Sequence, residues 1–151
     1  LTADPRVTPA GLGARDTIRL EMGYPLYGQD LDEEHTPAEA DYGWLLTSPA
    51  AYVGKGKAAA VRQKLIALEI PGRRSARHGD TVTDRNGKTV GVVTSASFAP
   101  SLGHAVALAY VDAPAAEGKE FHIKAARTEL PARRSALPFY KAGTARKNVA
   151  G

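Results

Sequence analysis

Cysteine is absent from all 151 residues. That excludes disulfides, thiolate nucleophiles and Cys-ligated zinc or iron–sulfur centres, and it agrees with a reducing, cytoplasmic compartment. Long apolar runs are missing too: no stretch approaches the ~20 residues that a membrane-spanning helix needs. No signal-peptide pattern and no initiator Met open "LTADPRVTPAG", so the start reads like the interior of a longer protein. Glycines are plentiful, at 15. Even so, no GxGxxG opens a helix after a strand, and no phosphate-cradling GxxxxGK followed by Ser or Thr occurs. His35, His78, His104 and His122 are scattered without metal-ligand spacing, so no metal site is predicted. Ser95 in "TSAS" lacks the strand-to-helix context of a nucleophile elbow.

What is present is a divided charge. The net charge is +4. Residues 1–50 hold three basic side chains (Arg6, Arg15, Arg19) against nine acidic ones, a net −6, and the remainder therefore carries +10. Opposite signs predict two structural units, or one unit with a polarised surface. A chain of this length can bury roughly 70% of its unfolded surface, so a true core is expected.

Thr8-Pro9 reads as a helix start, and Gly23 followed by Pro25 as its stop. The 3.6-residue period sets Ala14, Ile18 and Met22 along one stripe, with Arg15, Asp16 and Arg19 on the neighbouring face. In "HTPAEADYGW", Thr36, Pro37 and Glu39 form a capping box that predicts a second, short helix ending at Gly43. Trp44, Leu45 and Leu46 read as a buried strand, and "YVGKGKAAAVRQK" as a third helix ending near Gln63. From Lys64 the period changes to two. "KLIALEI", "DTVTDRNGKTVGVVTS", "HAVALAYVD" and "KEFHIKA" read as strands, with a type I′ hairpin turn at Asn86-Gly87. Phe121 and Ile123 alternate with Glu120, His122 and Lys124. "ALPFY" is a last apolar stretch. Five or so short strands argue for a small antiparallel barrel or sandwich.

Few of these residues advertise chemistry on their own. Asp30, Asp32, Glu33 and Glu34 read as a solvated loop that places negative charge ahead of a helix start. "GRRSARHG" is a basic loop without the interleaved aromatics that a single-strand nucleic-acid binder uses. Two arginines on one helix face are ordinarily solvated, or paired with a residue such as Asp16. Their functional reading is a fork of donors meeting a carboxylate or a planar ligand edge.

"PAGLGARDTIRLEMGYPLYGQDLDEEHTPAEADYGW" resembles the middle segment of the aminomethyltransferases, the T-proteins of the glycine cleavage system. The likeness continues through "VGKGKAAAVRQKLIALEI", "GKTVGVVTSASFAPSLGHAVALAYVD" and "LPFYK", in the family's order, over about residues 9–142. The resemblance implies an α+β chain: a short helical segment from the end of a folate-binding α/β domain, followed by a small antiparallel β-barrel domain. It divides the chain into residues 1–61, the end of the folate-binding region, residues 62–145, the barrel, and a tail, 146–151.

The function implied is transfer of an aminomethyl group from the lipoyl arm of H-protein to tetrahydrofolate, with release of ammonia. The implied partners are lipoylated H-protein and the missing amino-terminal half of the same enzyme. The family's catalytic aspartate lies in that half, so no catalytic residue is expected here and the chain alone is expected to be inactive. Arg15 falls on the folate-contacting arginine of the ARD triplet. Trp44 and Tyr140 are the other folate-facing candidates. Asp16, Arg19 and Glu21 are expected to orient Arg15, and Tyr27, Gly28 and Asp30 to shape the cavity wall. "AARTELPARRS" departs from the family's usual Arg-Gly-Lys turn and puts the last hairpin in doubt. Two alternatives stay open: a folate-linked demethylase module of a dimethylglycine- or sarcosine-type enzyme, or a non-catalytic barrel docking an acidic protein or, less in keeping with the composition, nucleic acid.

Overall fold

A computed structural model describes residues 3–126 and 128–143; the predicted tail, 146–151, lies outside them. One α-helix, α1 (Leu12–Glu21), precedes six strands: β1 (Gln63–Ile70), β2 (Thr81–Asp84), β3 (Thr89–Ala99), β4 (His104–Asp112), β5 (Glu120–Ala125) and β6 (Thr128–Ser135). The strands close into an antiparallel barrel in the order β1-β4-β3-β2-β5-β6. Closure runs through β1 and β6, with Ala67 opposite Ser135 and Glu69 opposite Arg133. A barrel, not a sandwich, thus resolves the two architectures that strand spacing left open. Strands β5 and β6 pair despite the unusual sequence, with Phe121 opposite Ala132 and Ile123 opposite Leu130.

The barrel interior follows from the pleat. Ile66, Leu68 and Ile70 on β1, Val82 on β2, and Phe121 and Ile123 on β5 point inward at every second position. Strand β4 contributes Ala105, Ala107 and Ala109 to that interior, small residues that leave room for the larger ones across the lumen. Its alternate residues Val106 and Leu108 are buried on the outside, beneath Leu20 of α1 and Phe139. A strand covered on both faces reads as a continuous apolar run, which is why "HAVALAYVD" shows no alternation.

Several local expectations change. Helix α1 begins at Leu12 behind an N-cap Gly11 that makes no side-chain cap, because Thr8 and Pro9 lie too far upstream to serve the first turn. Its end is as expected. Gly23 adopts φ 70°, and Tyr24 N and Gly23 N donate to Arg19 O and Leu20 O, the paired bonds of a Schellman stop. Ala14 and Ile18 of the apolar stripe face outward, with Ile18 63% exposed, while Arg19, Leu20 and Glu21 are buried.

The second helix is a single turn. Its capping box forms, but Asp41 enters the left-handed region at φ 65° and ends it. Residues Gly43–Thr47 are a 3₁₀ helix with no buried residue, not a strand. The third helix is a series of turns, since Gly54 sits at φ 84° and no apolar face of the segment is packed. The hairpin after β2 is not type I′: Asn86 keeps a negative φ and only Gly87 is left-handed. Asp84 N donates to Lys88 O and Gly87 N to Asp84 O, a three-residue loop closed by a glycine bulge.

Candidate functional site

Arg19 and Asp30 form the joint between the helical segment and the barrel. The Schellman stop turns the chain so that the Tyr24–Asp32 loop returns over α1. Arg19 Nη1 donates to Asp30 Oδ2 at 2.7 Å, and Asp30 is completely buried. The guanidinium also donates to Asp16 Oδ1 (2.7 Å), Tyr24 O (3.2 Å), Gln29 Oε1 (3.1 Å) and Ser95 Oγ (2.9 Å). Asp30 in turn accepts from Leu26 N (2.9 Å), Ser95 Oγ (2.8 Å) and Thr94 Oγ1, while Tyr110 Oη donates to its carbonyl at 3.0 Å. A buried ion pair holds only when its remaining hydrogen-bonding positions are filled, and here they are.

Thr94 and Ser95 reach the same carboxylate although they are neighbours on one strand. Successive side chains of a regular strand point to opposite faces. The register of β3 against β4 shifts between Val93 and Ser95. That bulge turns both hydroxyls to the outer side, where the loop lies.

A second anchor follows. Glu39 accepts from Thr36 N (2.8 Å), Arg62 N (2.7 Å) and Gln63 N (3.1 Å), and from Arg62 Nε. Burial alone raises a carboxyl's pKa, yet these donors outweigh it and lower that of Glu39 to about 2. The cap read in the sequence therefore staples the acidic loop to the start of β1.

The predicted site residues separate. Arg15 is exposed and, among the described residues, makes no hydrogen bond or ion pair; Asp16, Arg19 and Glu21 bond elsewhere and do not reach it. Glu21 Oε1 accepts from Ser101 N at 2.9 Å. Asp30 lies at the centre of the joint, inside the wall, whereas Tyr27 points to solvent. Trp44 is 66% exposed and lines a groove between the 3₁₀ helix and strands β1 and β6. Tyr140 lies elsewhere, in a cavity of about 450 Å³ with Ile18, Glu21, Met22, Tyr24, Ser101 and Lys141. Tyr140 N donates to Glu21 O at 2.9 Å, which fixes it against α1. Among the described residues, no group of three or more His, Asp or Glu converges as a metal site.

Two family models match the chain: the glycine cleavage T-protein C-terminal barrel domain over residues 63–141, and the GCVT N-terminal domain over residues 2–48. The chain belongs to the glycine cleavage T-protein family. An aminomethyltransferase of Saccharopolyspora erythraea is 44% identical over 147 residues, covering 92% of this chain and 40% of the relative. One of Rubrobacter xylanophilus is 45% identical over 140 residues, covering 88% and 37%. The crystal structure of the glycine cleavage system aminomethyltransferase T from Bartonella henselae superposes with a TM-score of 0.80 at 31% identity, covering 91% of this chain and 41% of that one. The chain thus spans about two fifths of the length of the T-proteins it matches.

Within this T-protein segment, sequence reasoning missed Gln29, Thr94, Ser95 and Tyr110. Each is an ordinary polar residue in its own stretch. Gln29 is the chain neighbour of Asp30; only the bulge of β3 and the pairing of β3 with β4 bring Thr94, Ser95 and Tyr110 to it.

Proposed function

We propose that the chain is the carboxy-terminal part of an aminomethyltransferase and supplies one wall of its tetrahydrofolate cavity. The observation that carries this reading is that Tyr140 packs against the same helix that bears Arg15. Arg15 lies on the face of α1 that adjoins the Ile18–Met22 stripe. Ile18 and Met22 line the cavity of Tyr140. Arg15 therefore stands one turn along the helix from the cavity mouth. Two tyrosine rings and two aliphatic side chains suit an aromatic ligand ring, and Lys141 and Arg15 suit its carboxylates. Tetrahydrofolate, when bound, supplies the nitrogen that accepts the one-carbon unit. This chain's residues bind and orient it, and the acid that acts on the departing amine belongs to the part of the T-protein that the chain does not match.

The exposed surface supports the same reading. Large apolar side chains left in solvent concentrate in the first segment: Leu12, Ile18, Tyr24, Tyr27, Trp44 and Val53. Extensive apolar exposure marks an interaction surface. The remainder of the enzyme is its occupant, and lipoylated H-protein is the aminomethyl donor to the assembled site.

The test combines this chain with a polypeptide carrying the unmatched part of the Saccharopolyspora relative. The mixture is expected to bind tetrahydrofolate and to release ammonia from aminomethylated H-protein. Demethylation of sarcosine or dimethylglycine without any response to H-protein would assign a demethylase module instead. Failure of the two polypeptides to associate would leave a non-catalytic barrel.

A further inference from the structure

The acidic loop is fastened to the barrel through His35. The imidazole stacks on Tyr110 of β4, with ring centroids 3.7 Å apart and planes 9° from parallel. Its Nδ1 lies 2.8 and 3.0 Å from the two carboxylate oxygens of Asp32. Its Nε2 lies 3.2 Å from Oε1 of Gln63, at the start of β1. Gln63 is oriented from its other side, where its Nε2 donates to Asp112 Oδ1 at 3.5 Å. An ionised carboxylate only accepts, so it holds the amide nitrogen and turns the amide oxygen toward the histidine. Both ring nitrogens of His35 consequently face acceptors. A neutral imidazole carries one N–H and satisfies one of them; an imidazolium satisfies both.

Several charged groups surround the ring. Asp32 lies on the histidine's own loop, Asp30 bonds to the Tyr110 hydroxyl, Glu39 is buried in the following turn, and Asp112 stands beyond Gln63. Against them, Arg62 is committed to Glu39 and to Glu34 O, and Arg19 to Asp16 and Asp30. Tyr110 registers the same field: burial, and then the charges of Asp32, Glu39 and Asp30, push its hydroxyl above the usual tyrosine range. The ring face of Tyr110 also favours a cation stacked on it.

We propose that His35 is a pH-sensitive latch. As an imidazolium it ties the Asp32 loop to Gln63 on β1 and to Tyr110 on β4. When Nε2 loses its proton to solvent, two lone pairs confront each other across the Gln63 contact, and the loop loses that hold on the barrel. The Arg19–Asp30 joint stays closed, so opening is confined to residues 31–36, a segment that carries Asp32, Glu33 and Glu34. The latch therefore couples proton activity to the position of an acidic surface loop, independently of the folate reading.

The test uses the 151-residue chain labelled with ¹⁵N. Imidazole nitrogen shifts and backbone amide exchange over residues 31–36, every exchange rate being divided by the intrinsic base-catalysed rate at the same pH, are followed between about pH 6 and about pH 8, where histidine charge changes. Both His35 ring nitrogens are expected to be protonated at the lower pH. Amide exchange at Glu34 and His35 is expected to rise about tenfold at the higher pH, the scale of one lost charge-assisted hydrogen bond. Asp112→Asn frees Gln63 to turn its amide nitrogen toward a neutral ring and should remove the pH dependence. His35→Phe keeps the stack, has no proton to lose, and should give equal exchange at both pH values. A ring that stays neutral throughout, loop exchange in the parent chain that does not vary with pH, or a pH dependence surviving in both variants would overturn the latch.

Discussion

Arg19 Nη1 and Asp30 Oδ2 stand 2.7 Å apart, eleven positions apart in sequence, with the carboxylate wholly shielded from water. Asp30→Ala would strand the guanidinium and two hydroxyls at that joint. The expected cost is about 3–5 kcal/mol, read as a fall in the urea midpoint. Replacing both members, Arg19→Met with Asp30→Leu, should recover much of that loss, because no unpaired charge then remains buried.

The Glu39 carboxyl titrates near 4.5 when unfolded and at about 2 when folded. A carboxyl with a depressed folded pKa stabilises the fold above its unfolded value, and that contribution disappears as pH falls through the folded one. Stability should therefore decline from about pH 4.5 toward pH 2. Glu39→Gln should flatten that limb in acid denaturation monitored by circular dichroism, at a cost of about 1–3 kcal/mol at neutral pH.

Gly91 lies where β3 presses against β4. A Cβ built there would stand 2.1 Å from Tyr110 O and 2.7 Å from Val111 Cα. Backbone atoms cannot swing aside as a side chain can, so Gly91→Ala should cost about 2–3 kcal/mol. Melting temperature should fall by about 2–4 °C per kcal/mol lost.

Arg15 carries no described contact that the fold depends on. Arg15→Gln should leave the unfolding midpoint within about 0.5 kcal/mol of the parent. In the reassembled enzyme the same change should weaken tetrahydrofolate binding about 10–100-fold, the scale of a lost charge-assisted hydrogen bond. Calorimetry on the parent and the variant, with and without the complementing polypeptide, checks the pair of outcomes.

Much of the barrel was legible because its signals are local. Phe121 and Ile123 alternate with polar neighbours, and the Thr36–Glu39 cap needs only four consecutive residues. Elements that depend on distant partners were misread. Trp44-Leu45-Leu46 is apolar enough for a buried strand, but among the described residues no strand pairs with it, and it coils into an exposed 3₁₀ turn. Ile18 is apolar yet exposed, whereas α1 meets the barrel through Leu20 and Arg19. A buried arginine contradicts every hydropathy rule until its four side-chain partners and one carbonyl are in place. The Asp30 cluster read as solvated because acidic runs ordinarily are; the serine and threonine that bury its first member lie more than sixty positions downstream.

By itself the sequence determined the family, the first five strands and the cap on Glu39. These rest on spacing between near neighbours, where backbone period and hydrogen-bond reach leave little choice. The tertiary structure alone decided that Asp30 is buried while Arg15 is not, that Tyr140 shares a cavity with α1, and that His35 faces two acceptors. The reason is the bulge in β3 and the closure of six strands, which set the faces of distant segments against one another and so choose which charges leave water.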